Sequence, residues 1–458
     1  MNIKKTLEQW LLWQESLHLS EIDLGLERIG KVAKSLNLLS PKFPIITVAG
    51  TNGKGSTVAF LDAILLAEGY KTGAYTSPHL VNYNERIVIN GEQADDALII
   101  QAFEAIDEAR RSILDDAGKR VDISLTYFEF STLAAMYIYQ QQNVDVAILE
   151  VGLGGRLDAA NLWDTSLAIV TSIGVDHIDW LGDDRDIIAI EKSGIMRKDT
   201  PAICGDNDAP VTIATEAKRI GAQLQQINSE FSFKIPATLS DNKLSKHWRW
   251  KNKETTLELE LPKMPGEFQL NNAATAIAGL FSIEVILPVS LTAINKGLKS
   301  AQVTGRLQVI QTEPEWLIDV AHNPHAAKQL AKYIQQNPVT GKTYALFSML
   351  RDKDISKVLN IMGSVIDEWH IVATKGSRGL SLDELQLHFN RTKAEQSYEQ
   401  DSQQKIEQKQ QLKTLTKVIS YDSFSDACGA LKNITKDEDR VVAFGSFLVI
   451  SEILDNCK

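Results

Sequence analysis

The stretch Val48-Ala49-Gly50-Thr51-Asn52-Gly53-Lys54-Gly55-Ser56 joins an apolar run over 44–49 to a helical repeat of apolar residues over 56–69. A buried strand, a glycine loop and a helix in that order form a cradle for phosphates. Glycines let backbone N–H groups approach the oxygens, the helix N-terminus adds positive potential, and a lysine reaches the outer phosphates. Thr51, Asn52, Gly53, Lys54, Gly55 and Ser56 are therefore the expected nucleotide contacts. The loop departs from the GxxxxGK(S/T) pattern. Val48 stands where the first glycine belongs, and Gly55 separates Lys54 from Ser56. The plainer alternative is a tight turn ahead of a helix; the strand–loop–helix context favours the nucleotide site.

Outward from the loop, residues 44–202 alternate between apolar strands, at 72–75, 144–151 and 167–173, and helical segments such as 131–140. Continuous apolar strands alternating with helices imply a mostly parallel sheet covered on both faces. Across 231–261 the texture changes, and 248–250 with 256–261 read as an antiparallel hairpin around a polar turn at 252–254. Helical periodicity resumes at 272–281. After Gly305 a second series begins, with strands expected at 307–310, 316–320, 344–347, 370–373, 418–421 and 441–444. The expected fold is α/β: a P-loop-containing, mostly parallel sheet domain over 1–302 and a smaller Rossmann-like α/β domain over 303–458. The Gln-, Glu- and Lys-rich stretch 391–417 reads as a solvated helix or a mobile insertion.

Net charge is −11, from 48 basic and 59 acidic residues. That opposes nucleic-acid binding, which needs a clustered basic excess. It does not oppose anionic small substrates, which local lysines, arginines, helix N-termini and metal can hold. Cys204, Cys428 and Cys457 stand far apart with no CxxC pair, so neither a zinc site nor a disulfide framework is indicated, and a reducing compartment fits. The apolar start is interrupted by Gln9, Gln14 and Glu15, unlike a signal peptide. No apolar run reaches the roughly 18 residues of a membrane span. The expectation is a monomeric cytoplasmic enzyme with no nucleic-acid or membrane partner.

Several residues further along carry chemistry. Glu150 closes an apolar strand at the carboxyl edge where α/β sheets bind ligands. It can hold a cation beside phosphates, or simply make a surface salt bridge. His177, flanked by Asp176 and Asp179, is a better ligand candidate than the other histidines. Lys192 alone reads as an exposed helix lysine, and Gly152, Gly154 and Gly155 as a weak glycine turn. Thr126, Tyr127, Phe128 and Glu129 form a polar-aromatic cluster beside Phe130, which reads as core. Asp319 precedes His322-Asn323-Pro324 at a helix start, where Pro324 suits the first turn. Helix capping remains open for both Asn272 and Asp319.

GTNGKGS resembles the loop of the Mur-ligase superfamily, and within it the chain resembles the folylpolyglutamate synthases. The resemblance spans nearly the whole chain. It rests on IDLGLER (22–28), SPHL (77–80), LTYFEF (125–130), LEVGLGGRLDAAN (149–161), VDHIDWLG (175–182), EKSGI (191–195), NNAATA (271–276), GRLQ (305–308) and DVAHNPHA (319–326). IDLGLER with LTYFEF looks most like the bacterial bifunctional branch, which acts as both dihydrofolate synthase and folylpolyglutamate synthase. The resemblance implies ATP held by the loop with Asn272, Arg306 and Asp319. It implies two Mg²⁺ sites served by Ser77, Glu150 and His177, with Lys192 carbamylated to help hold magnesium. The implied pterin pocket contains Thr126, Tyr127, Phe128, Glu129, Arg156, Leu157 and Asp158, under a lid with Asp23, Leu24, Gly25 and Arg28. His322 is the implied residue for the incoming glutamate, and Lys54, Lys192 and His322 the implied catalytic set.

The implied reaction activates the carboxylate of dihydropteroate or a reduced folate with ATP, giving an acyl phosphate that L-glutamate then attacks. Two rivals differ from it. A muramyl amino-acid ligase would share the chemistry on a UDP-sugar peptide, against which LTYFEF and IDLGLER speak. A P-loop binding module without ligase activity would need no second domain bearing DVAHNP.

Overall fold

The computed structural model describes residues 5–20, 22–115, 117–235, 247–374, 376, 378–403 and 417–456. Two compact units are distinguished by their internal contacts. The described residues of Met1–Val175, Leu181–Lys263 and Glu267–Gln302 form the first, and those of Asp176–Trp180, Met264–Gly266 and Val303–Lys458 the second.

The first unit is built on an eight-stranded sheet. Its order is Gln223–Gln226, Pro201–Cys204, Leu167–Val170, Ile45–Ala49, Val146–Glu150, Thr72–Tyr75, Ile87–Ile89 and Glu92–Gln93. The first six strands run parallel, and the last two turn antiparallel at the edge. Every residue of Ile45–Ala49 and Val146–Glu150 is buried, as strands covered on both faces must be. The strand before the glycine loop lies at the centre of this sheet, so its carboxyl end opens where ligands bind in such folds.

The helix that follows spans Lys54–Glu68. It begins two residues before the periodicity suggests and stops at Gly69, whose left-handed backbone returns its N–H to Leu65 and Leu66. The helix expected at 131–140 is longer, Tyr127–Gln142, because Thr126 and Glu129 cap its start. The expected hairpin is two strands of a three-stranded sheet, His247–Lys251 and Thr256–Glu260 with Ser232–Lys234 added. It is tied to the Glu267–Ser282 helix by Trp250, which stacks on Phe281 and donates from Nε1 to Ala274 O at 3.1 Å.

The second unit carries a six-stranded sheet in the order Gln308–Thr312, Glu315–Asp319, Arg440–Phe444, Thr343–Phe347, Glu368–Val372 and Val418–Tyr421. All but the first pair in parallel. The polar stretch after Arg391 continues the helix Leu382–Gln403, while residues 404–416 of that expectation and Cys457 lie outside the described residues. Among the described residues no helix is long and apolar enough to cross a membrane.

One close contact fixes the Lys54–Glu68 helix from behind. A β-carbon on Gly297, in the helix Leu291–Ser300, would stand 2.5 Å from Ile64 Cγ1 and 2.6 Å from its Cα. Gly297→Ala must push the two helices apart, an overpacking cost of about 1–3 kcal/mol. The expected result is a lower thermal-unfolding midpoint; an unchanged melt would show that this approach does not hold the helix.

Candidate active site

In the first unit the glycine loop is pinned on two sides. Thr51 N donates to Ser172 O at 2.8 Å, Asn52 N to Ser172 Oγ at 2.9 Å, and Thr171 Oγ1 to Asn52 O at 2.7 Å. Gly53, at φ +86°, leads into the helix, and a β-carbon there would stand 2.5 Å from Asn272 Oδ1. Asn272 lies inside the Glu267–Ser282 helix, its Nδ2 donating to Gln269 at 3.0 Å, so it caps nothing. The structure thus brings Asn272 to the loop and removes helix capping as its role. Lys54 Nζ folds back to Gly50 O and Thr51 O at 3.0 and 3.3 Å, over the loop, while Ser56 is buried behind it.

Glu150 pairs in register with Val48 on the strand beside the loop. Its Oε2 accepts from Ser77 N at 3.1 Å and lies 3.7 Å from where a β-carbon on Gly55 would stand. Glu150, Ser77 and the loop are therefore one locality, and the surface salt bridge is ruled out by the burial of Glu150. Lys192 lies in the last turn of the helix Arg185–Ser193 and is 3 % exposed, not a surface lysine. Gly155 packs on its backbone, since a β-carbon there would stand 3.1 Å from Lys192 Cα.

The expected pterin cluster has a structural account that the sequence already contained. Thr126 and Glu129 form a capping box: Glu129 N donates to Thr126 Oγ1 at 3.2 Å, and Thr126 N to Glu129 Oε2 at 2.8 Å. Glu129 Oε1 accepts from Arg28, which pairs with Asp23 Oδ2 at 2.6 Å. Burial pushes the Glu129 carboxyl up, against the backbone bond to Thr126 and the nearby Arg28 charge. Gly25 N donates to Leu157 O at 3.2 Å, bringing the Asp23–Arg28 segment to the second glycine turn. Leu24 and Tyr127 are half-buried, and the half-buried Phe128 ring lies against Gly152, 2.7 Å from where a β-carbon would stand. Asp158 is buried, accepts from Leu153 N and Ala160 N at 2.9 Å, and is pushed up to about 7 by burial, with Lys54 among the groups opposing that. Arg156 is half exposed and pairs with Glu191 at 2.8 Å.

In the second unit Asp319 accepts from Leu307 N and Ala321 N, both at 2.8 Å. It therefore shapes the turn, and Asn323, not Asp319, caps the helix Pro324–Gln336. Burial pushes the Asp319 carboxyl up, opposed first by the charge of Arg306. Arg306 lies over the Phe447 ring, 5.5 Å from its centre, and His322 lies 6.0 Å from the same ring. His322 Nδ1 bonds Val320 O at 2.7 Å, and its Nε2 lies 3.3 Å from Asp176 Oδ2.

Asp176 is the residue that motif reading passed over in favour of its neighbour His177. Asn323 Nδ2 donates to it at 3.0 Å and the buried Lys353 ammonium at 2.5 Å. Burial opposes ionisation of Asp176, but His322, Lys353 and His177 outweigh it and hold its carboxyl well below the usual carboxylate range. The only sequence signals for this hub were an Asp before a candidate His and a Lys in Arg351–Asp354, both too common to select. His177 itself takes a positive φ of 54°, and its N–H donates to Asp176 Oδ1 at 2.8 Å.

Comparison with known proteins matches residues 106–280 to the Mur ligase middle domain and residues 305–447 to the Mur ligase glutamate ligase domain. A dihydrofolate synthase/folylpolyglutamate synthase of Escherichia coli strain K12 is 40 % identical, over 99 % of this chain and 98 % of the relative. The structure of E. coli FolC in complex with DHPP and ADP is 40 % identical and superposes with a TM-score of 0.86, covering 98 % of this chain and 97 % of that one. A bifunctional folylpolyglutamate synthase/dihydrofolate synthase solved with Mn, AMPPNP and L-glutamate bound gives 0.84 at 39 % identity, covering 98 % of each chain.

Proposed function

The chain belongs to the dihydrofolate synthase/folylpolyglutamate synthase family of Mur ligases, and from that premise we propose that it joins L-glutamate to dihydropteroate and to reduced folates at the expense of ATP. The observation that carries this reading is the convergence, at one strand edge, of the glycine loop, Lys54, Asn272 and the buried Glu150–Ser77 pair. Residues 1–302 take ATP and the acceptor in this reading, and residues 303–458 serve glutamate ligation. The enzyme acts as a cytoplasmic monomer on small molecules, which its acidic net charge suits better than nucleic acid.

The acceptor carboxylate attacks the γ-phosphate in line, giving an acyl phosphate and ADP. The amine of glutamate then attacks the acyl carbon, and phosphate leaves. Loop N–H groups and Lys54 hold the phosphates and offset the charge that builds on them. Arg306 and Asp319 are assigned to ATP in the second unit, and His322, whose ring is fixed through Val320 and Asp176, to the incoming glutamate. Thr126, Tyr127, Phe128 and Glu129 with Arg156, Leu157 and Asp158 form the pterin pocket, under the Asp23–Arg28 lid.

Magnesium is the implied metal, and the donors suit it. Glu150 offers a carboxylate and Ser77 a hydroxyl, with His177 as the third assigned ligand; among the described residues no cluster of three His, Cys, Asp or Glu forms an all-protein cage. Mg²⁺ ordinarily binds through one or two carboxylates plus phosphates and water. When bound, it supplies charge stabilisation for the transferring phosphoryl group.

The test of the function is an assay with ATP, Mg²⁺ and glutamate, supplying either dihydropteroate or tetrahydrofolate and measuring each product separately. Amide formation on both is expected; tight ATP binding with no amide on either would leave only a binding module. In the same assay Glu150→Gln, which keeps size and removes charge, is expected to lower turnover at least 100-fold and raise the magnesium needed for half-maximal rate. Unchanged magnesium dependence would reduce Glu150 to a strand-end residue that orients Ser77.

Lys192 is assigned as a carbamate in the active enzyme. A buried ammonium beside magnesium and phosphate would be desolvated and placed among the wrong neighbours, whereas CO₂ converts it to an anionic group. Lys192→Ala is expected to lose activity and to recover part of it with a short carboxylic acid in solution. Carbon-13 NMR with labelled bicarbonate reads the carbamate directly. An unmodified Lys192 in active, nucleotide-bound enzyme overturns the assignment.

A further inference from the structure

Three arginines of the described chain are buried: Arg86, Arg110 and Arg440. Arg110 pairs with Asp107 and Asp122, and Arg440 with Glu315. Arg86, 8 % exposed at the end of the turn Tyr83–Arg86, has no such partner among the described residues. Its Nε donates to His79 Nδ1 at 2.8 Å. An imidazole nitrogen that accepts a hydrogen bond carries no proton, so His79 is a neutral partner and supplies no counter-charge. The adjacent carboxylate is committed elsewhere: Glu85 accepts from the N–H groups of Leu80, Val81 and Asn82 at 2.7, 2.8 and 2.7 Å. The guanidinium lies 5.7 and 5.4 Å from the ring centres of Tyr83 and Tyr127. Neither terminal nitrogen has a hydrogen-bond partner among the described residues, and neither is sealed from solvent.

A guanidinium enclosed this far without an anion is costly unless a ligand brings one. Its planar fork matches a carboxylate with two parallel hydrogen bonds. The two acceptors of the proposed reaction differ in this respect. Dihydropteroate has one carboxylate, and the reaction consumes it. A reduced folate that already carries glutamate has the γ-carboxylate, which is consumed, and an α-carboxylate, which is not. The consumed group must lie against the phosphates at the glycine loop, whereas the Arg86 guanidinium lies against His79, Tyr83 and Tyr127, on a residue whose carbonyl accepts from Thr76 N beside Ser77. We propose that Arg86 binds the non-reacting α-carboxylate of a folate acceptor, making it a specificity residue for elongation over first glutamylation. This rests on the ligase reading above.

The test compares tetrahydrofolate with tetrahydropteroyl-4-aminobutyrate, which keeps the γ-carboxylate and lacks the α-carboxylate. On wild-type enzyme the analogue is expected to show a KM raised about tenfold or more, the scale of a charge-assisted hydrogen-bonded pair; this arm needs no variant. Arg86→Gln is expected to raise the KM for tetrahydrofolate by a similar factor while leaving that for the analogue within about twofold, and Arg86→Lys to fall between. Equal KM values for both acceptors on wild type, or an equal loss on both in a folded Arg86→Gln variant, overturns the assignment. Wild-type enzyme that joins glutamate to no acceptor at all sinks the ligase reading itself, a result distinguishable from the others because it precedes any comparison between acceptors.

Discussion

At Gly50 and Gly53 the backbone comes closer to its neighbours than a residue with a side chain could, and the rest of the first unit is arranged around that approach. A β-carbon on Gly50 would stand 1.9 Å from Thr171 Oγ1, and one on Gly53 2.5 Å from Asn272 Oδ1. Thr171 follows the strand Leu167–Val170 and Asn272 sits in the Glu267–Ser282 helix. Three elements distant in sequence therefore meet at two missing side chains. The loop is held by these approaches and by its bonds to Thr171 and Ser172, with Lys54 Nζ over the Gly50 and Thr51 carbonyls. Such preorganisation is what makes electrostatic stabilisation of a transferring phosphoryl group effective.

The second unit solves a related problem with carboxylates instead of glycines. Asp319 holds the N–H of Ala321 in its own turn and that of Leu307, twelve residues earlier, and Asp176 gathers His322, Asn323 and Lys353. The two acids end in opposite electrostatic situations. Asp319 is pushed up by burial, whereas Asp176 is held down by His322, Lys353 and His177 despite burial. One shapes the turn that carries Arg306 and Leu307. The other fixes the ring of His322 through a partner on the side away from Val320.

Much of this was legible in the sequence because period and punctuation agree there. The run 44–49 with the glycines after it, and the apolar 144–151, have single readings as buried parallel strands, and the structure places strands at both. The third strand of the small sheet, Ser232–Lys234, was not legible, since three residues at an edge carry no periodic signal. Thr126–Glu129 was legible in a different sense: the capping-box spacing is present in the sequence, whereas its assignment to a pterin pocket comes from the family resemblance alone. Asp176 and Arg86 were hidden because their significance lies in partners far along the chain or in the absence of one. Lys353 is 177 residues from Asp176; the Asn82–Glu85 spacing does announce the capping box that occupies Glu85, but not that Arg86 is left without another carboxylate.

One carboxylate can be tied to several parts of the fold at once. Glu129 caps its helix with one oxygen and meets Arg28 with the other, and Asp158 spends both oxygens on backbone N–H groups. Such carboxylates are held in place by the fold before a substrate arrives. A side chain whose rotamer is fixed in this way loses little entropy when a ligand comes to it. A raised Asp158 pKa near 7 adds that its ionisation answers to neighbouring charge, Lys54 included. The charge of Lys54, in the nucleotide cradle, therefore acts on Asp158 at the second glycine turn within a single unit, as the smallest of the influences on that carboxyl.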